Sequence, residues 1–106
     1  MKYKVGDLVR IKTWEEMKKK YGLDSDGDIA HCGFVLNMEK QLNEKFPNRI
    51  VKINNIYDRY YNMENIGWCW DDRMIKCLAK DYKKIEIYNS KEKIISRFDL
   101  LDIRED

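Results

Sequence analysis

At 106 residues and 43% hydrophobic content, the chain has the length of one domain and enough apolar residues for one core. Its formal charge of +2, from 21 basic and 19 acidic residues, argues against a DNA-coating protein built on a concentrated basic field. No stretch approaches the roughly 18 consecutive apolar residues of a membrane span, so no membrane partner is expected.

Gly6-Asp7 is turn chemistry, and Leu8-Val9-Arg10-Ile11-Lys12 reads as a half-buried first strand. Thr13 then starts a helix, because Thr13 and Glu16 have the spacing of a capping box. Trp14, Met17 and Tyr21 share its inner face, and Gly22 is placed to end it. Glu15–Lys19 and Glu16–Lys20 have the spacing of ion pairs on its solvent side.

Leu23 to Gly33 is a polar loop. Asn37 is the expected cap of a second short helix with Met38, Leu42 and Phe46 inward and Pro47 beyond its end. Arg49 to Tyr57 is β-rich, and Asp58-Arg59 connects it as a hairpin to Tyr60-Tyr61-Asn62-Met63. Ile66, Trp68 and Trp70 alternate along a further strand. Asp71 or Asp72 is then expected to cap a helical turn carrying Met74, Ile75 and Leu78. The tail reads as a second hairpin, Ile85–Tyr88 and Lys93–Phe98 about a turn at Asn89-Ser90-Lys91, with Leu100, Leu101 and Ile103 packing back. The expected organisation is one domain over 1–106, with a core at 1–79 and a C-terminal hairpin extension at 80–106.

The 13 aromatics (Trp 3, Tyr 7, Phe 3) point to a core of few, large side chains. Trp68-Cys69-Trp70 would place both indoles on one strand face. Two readings follow: a core wall against Trp14 and Met17, or an aromatic binding platform extended by Tyr57, Tyr60 and Tyr61.

Asp24, Asp26 and Asp28 alternate as at the start of a calcium loop. The sixth and twelfth positions of such a loop require Gly and Glu, and here they are Ile29 and Val35. An exposed acidic turn is the expected outcome. His31, Cys32, Cys69 and Cys77 lack the short paired spacing of a structural zinc site, so no metal or other cofactor is expected. Lys18 and Lys19 belong to a solvent-facing lysine run, which becomes an interaction patch if Arg10, Lys12 or Arg49 lies beside it.

One histidine and no nucleophile elbow, phosphate loop or zinc-protease motif argue against an enzyme. Three widely spaced cysteines, and an N-terminus without the apolar run of a signal peptide, lead us to expect a reduced, cytoplasmic protein.

The run Val5-Gly6-Asp7-Leu8-Val9-Arg10-Ile11-Lys12, followed by Trp14-Glu15-Glu16-Met17, Gly33-Phe34, Met38, Trp68-Cys69-Trp70 and Met74-Ile75, resembles small phage and prophage proteins of low-GC bacteria. Its GD-x-V-x-I opening is similar to that of SH3-like barrels. The resemblance covers residues 3–78 and implies an α+β, mostly β fold: a partly open SH3-like barrel with a capped helix inserted after the first strand. It carries no assigned site residues. The functional expectation is a non-catalytic module that binds a host protein in the bacterial cytosol. An inhibitor of a host defence system such as a CRISPR effector fits this class, with Trp68, Trp70, Tyr60, Tyr61, Asp24, Asp26, Asp28, Lys18 and Lys19 as candidate contacts. The alternatives are an SH3-like nucleic-acid-binding module or a virion assembly component.

Overall fold

The computed structural model describes residues 1–82. The expected tail hairpin lies outside the described residues, as do the packing roles of Leu100, Leu101 and Ile103.

Strand β1 (Leu8–Ile11) follows a turn at Gly6, whose φ of +94° suits a residue without a Cβ. Val9 and Ile11 are fully buried, while Leu8 and Arg10 leave the core face. Helix α1 (Trp14–Tyr21) begins as expected: Thr13 Oγ1 accepts from Glu16 N, and Glu16 Oε1 accepts from Thr13 N. Met17 is buried, with Trp14 and Tyr21 packed at the margin of the core.

Helix α2 (Leu36–Lys45) starts one residue before the expected cap, Asn37. Its N-cap residue, Val35, has no side chain able to cap it. Asp28 does so from the preceding loop, its Oδ1 accepting from Leu36 N at 2.8 Å. Met38 and Leu42 are its buried residues, and Phe46 lies half-buried at its end.

Strands β2 (Ile50–Tyr57), β3 (Tyr60–Met63) and β4 (Ile66–Trp70) form a meander. Asp58 and Asn65 sit in its two turns with φ of 58° and 63°, a conformation that these two residue types tolerate. After β4, Asp71 caps a 3₁₀ turn, Asp72–Met74, through Arg73 N.

The expected helical turn through Leu78 is corrected here: Ile75–Leu78 is a strand, β5. It pairs antiparallel with β1, Val9 opposite Leu78 and Arg10 opposite Cys77. The backbone groups of Ile75–Leu78 thereby satisfy the free edge of β1, a stronger demand than the helical spacing of three apolar residues. Cys77 is accordingly a strand residue.

The sheet is five-stranded and antiparallel in the order β4-β3-β2-β1-β5, and it is not closed. The fold is a small α+β domain. Val9, Ile11, Val51, Ile53, Tyr61, Met63 and Trp70 of the sheet meet Met17, Phe34, Met38 and Leu42 in one core. Trp14, Phe34 and Trp70 stack edge-on in series, with centroids 5.3 and 5.7 Å apart. Trp70 therefore reaches the first helix through Phe34.

Candidate functional site

Strand alternation would put Ile66, Trp68 and Trp70 on one face. The backbone does otherwise. Tyr61 pairs with Trp70 and Met63 with Ile66, so three residues of β3 lie opposite five of β4. The surplus is taken up as a bulge, and Trp68 adopts φ of +76°. For a bulky residue this left-handed conformation costs on the order of 1–3 kcal/mol.

The bulge separates the two indoles. Trp70 is 0% exposed and donates Nε1–H to Gly67 O at 3.0 Å. Trp68 is 43% exposed, and its Nε1–H reaches Gln41 Oε1 on α2 at 3.1 Å. The shared platform face is thus corrected: Trp70 is core and Trp68 is surface. Gln41 carries no sequence signal of this role, because nothing local ties it to a residue 27 positions away.

The tyrosines divide in the same way. Tyr61 is fully buried; its hydroxyl donates to Asp72 Oδ1 and accepts from Tyr3 N. Burial and the adjacent Asp72 carboxylate push its pKa up to about 12. Tyr61 therefore leaves the candidate surface and joins β3 to the N-terminal segment and the 3₁₀ turn. Tyr57 and Tyr60 are exposed, paired across the end of the β2–β3 hairpin. Neither is in ring contact with Trp68 among the described residues.

Asp24, Asp26 and Asp28 form a compact acidic turn, with one carboxylate oxygen of each within 4.8 Å of the others. Much of their hydrogen-bonding capacity serves the loop itself. Asp24 Oδ1 accepts from the backbone of Asp26 and Asp28, and Asp28 Oδ1 caps α2. His31, Cys32, Cys69 and Cys77 do not converge into a metal-ligating group among the described residues. Burial pushes the thiols of Cys32 and Cys77 up, away from the reactive thiolate.

Lys18 and Lys19 are exposed on α1, as expected. Arg49, however, is not beside them: it is buried, bonded to Glu39, Asn43 and the carbonyls of Ile11 and Lys12. Arg10 lies over the ring of Tyr82 at 4.1 Å from its centroid. The two expected helix-surface pairs are also corrected. Among the described residues Glu15 and Lys19 form no ion pair, and Glu16 binds Lys76 of β5 at 2.5 Å in place of Lys20.

No helix among the described residues is long and apolar enough to cross a membrane. Comparison with family models, with curated proteins and with solved structures finds no match to this chain.

Proposed function

We propose that this chain is a non-catalytic protein-binding module on an SH3-like scaffold, with Trp68 as its principal contact. The exposed, strained Trp68 carries this proposal. A folded chain has little reason to keep a tryptophan in a costly backbone conformation at the surface unless the indole has work there. Tryptophan is also the residue type most enriched among interface hot spots. The SH3-like assignment is supported by the strand order, by the long excursion between β1 and β2, and by the 3₁₀ turn just before the closing strand.

The partner we favour is a host protein of a nucleic-acid-processing defence system, engaged in the bacterial cytosol. The resemblance to phage-borne proteins supports this choice. So does the acidic turn Asp24–Asp28, which offers three carboxylates at a spacing suited to a basic channel. Tyr60 and Tyr57 supply a second exposed aromatic position at the hairpin end.

The test is affinity capture from a bacterial lysate with the wild-type chain and the Trp68→Ala variant in parallel, followed by mass spectrometry. A discrete protein held at least tenfold better by the wild type is expected. Identical capture by both chains, or capture that nuclease treatment abolishes, contradicts the proposal.

A further inference from the structure

We infer that the flank of α1 facing β5 is a polyanion-binding surface, built from Lys12, Lys19, Lys20 and Lys76 and suited to a phosphodiester backbone. This goes beyond the Trp68 contact and stands or falls separately from it.

The arrangement follows from where Glu16 is sent. One of its oxygens closes the capping box on Thr13 N, and the other binds Lys76 Nζ. Lys20, the expected partner one helical turn on, gains no carboxylate among the described residues, and neither does Lys19. At about 3.6 residues per turn, Glu16, Lys19 and Lys20 share one flank, while Lys18 falls on the other.

Two further elements bring lysines to that flank. Lys12 directly precedes the cap residue Thr13, where its N–H donates to Met74 O at 2.8 Å. Lys76 follows Ile75, which is paired with Ile11. Lys76 thus contacts Glu16, Lys12 lies close enough to feel the charges of Glu16, Lys20 and Lys76, and helical spacing puts Lys19 on the same flank. The crowding is felt at Lys12: burial lowers its pKa, and repulsion from Lys20 lowers it further, with Glu16 opposing and Lys2 and Lys76 adding. An anion laid along this flank relieves that repulsion. A chain of phosphates suits it better than a single ion, because the four lysines come from three segments: the link between β1 and α1, α1 itself, and β5.

The net charge of +2 conceals this surface, since 19 acidic residues, three of them in the Asp24–Asp28 turn, offset the 21 basic ones. The surface offers no free stacking platform of a sequence reader: Trp68 is bonded to Gln41 of α2, and the Tyr21 ring on α1 is covered by Lys20 at 5.6 Å from its centroid. Recognition is therefore of phosphate and not of base or sugar.

The test is fluorescence anisotropy of the full chain with labelled single-stranded oligonucleotides of about 20 bases, DNA in one arm and RNA in the other. With three to four phosphates neutralised, raising salt from about 50 to about 200 mM weakens binding roughly 20- to 50-fold. Lys12→Gln with Lys20→Gln is expected to weaken binding about tenfold and flatten the salt dependence, while Lys45→Gln, on α2, leaves both unchanged. Glu16→Gln keeps a residue able to close the capping box and is expected to tighten binding about threefold. Circular dichroism confirms that each variant is folded. Salt-insensitive or absent binding of the wild type overturns the inference. So does a folded double variant that binds like the wild type, or a preference above tenfold for either DNA or RNA.

Discussion

Arg49 and Glu39 form a bidentate pair, with nitrogen–oxygen distances of 2.8 and 2.7 Å, on the inner side of α2. The same guanidinium donates to the carbonyls of Ile11 and Lys12, so one side chain fastens β1, the start of β2 and α2 together. Arg49 itself takes φ of 63° to reach this position. Such a network is costly to break, because removing one partner leaves the other charge buried without compensation. Arg49→Ala is expected to lose about 3–5 kcal/mol in urea unfolding. Arg49→Lys recovers only part of this, since an ammonium cannot reproduce the planar fork. A loss below about 1 kcal/mol, the range of a surface pair, would contradict this role.

The two tryptophans of β4 should separate cleanly. Trp70→Ala removes a fully buried indole that stacks on Phe34 and is expected to cost about 3–5 kcal/mol. Trp68→Ala should change stability by no more than about 1 kcal/mol, because the indole is half-exposed and its hydrogen bond to Gln41 lies at the surface. Trp68→Gly is expected to exceed Trp68→Ala in stability by a few tenths to about 1 kcal/mol, as glycine accepts positive φ freely. The same denaturation series reads all three, and the reverse order for Gly and Ala would show that the strain is absent.

Those tryptophans also show how far the sequence could be read. Helix α1 was legible because Thr13, Glu16 and the Trp14–Met17–Tyr21 face all lie within one short window. The Asp58-Arg59 hairpin was legible for the same reason. The position of Trp68 was not, since alternation assumes an unbroken register and nothing in Ile66–Trp70 announces a bulge. Strand β5 was hidden by the helical spacing of Met74, Ile75 and Leu78, while its true partner lies more than sixty positions earlier. Local spacing pairs Glu16 with Lys20, but the fold gives it to Lys76, 60 residues away. The errors share a cause: a long-range partner displaced a local one.

Tyr61 predicts the alkaline limit of stability. Its folded pKa of about 12 lies above the ordinary 10.0, so the folded chain holds this proton more tightly than the unfolded chain. The resulting stabilisation is fully present below pH 10 and is lost as pH rises from 10 towards 12. Ultraviolet titration of wild type and Tyr61→Phe should show one tyrosine of the wild type ionising only near pH 12. Asp72→Asn should move that step downward by removing the neighbouring carboxylate. An unchanged titration curve in Tyr61→Phe would refute this assignment.

The acidic turn should separate structural from contact roles. Asp28→Ala removes the acceptor of Leu36 N and is expected to cost about 1 kcal/mol, the usual value of a helix cap. Asp26→Asn should leave stability unchanged, because no bond of its carboxylate holds the loop among the described residues. If Asp26→Asn weakens capture of the partner while unfolding at wild-type urea concentration, the acidic turn is a contact surface. Equal capture would restrict the interface to the Trp68 side.

The most direct test of the binding-module proposal measures stability and partner capture on one Trp68→Ala preparation. A variant that unfolds within about 1 kcal/mol of wild type, yet loses at least tenfold of the captured partner, is the predicted result. A variant that captures the same partner at wild-type yield, or that unfolds as readily as Trp70→Ala, would contradict the claim that Trp68 is held outside the core to make contact.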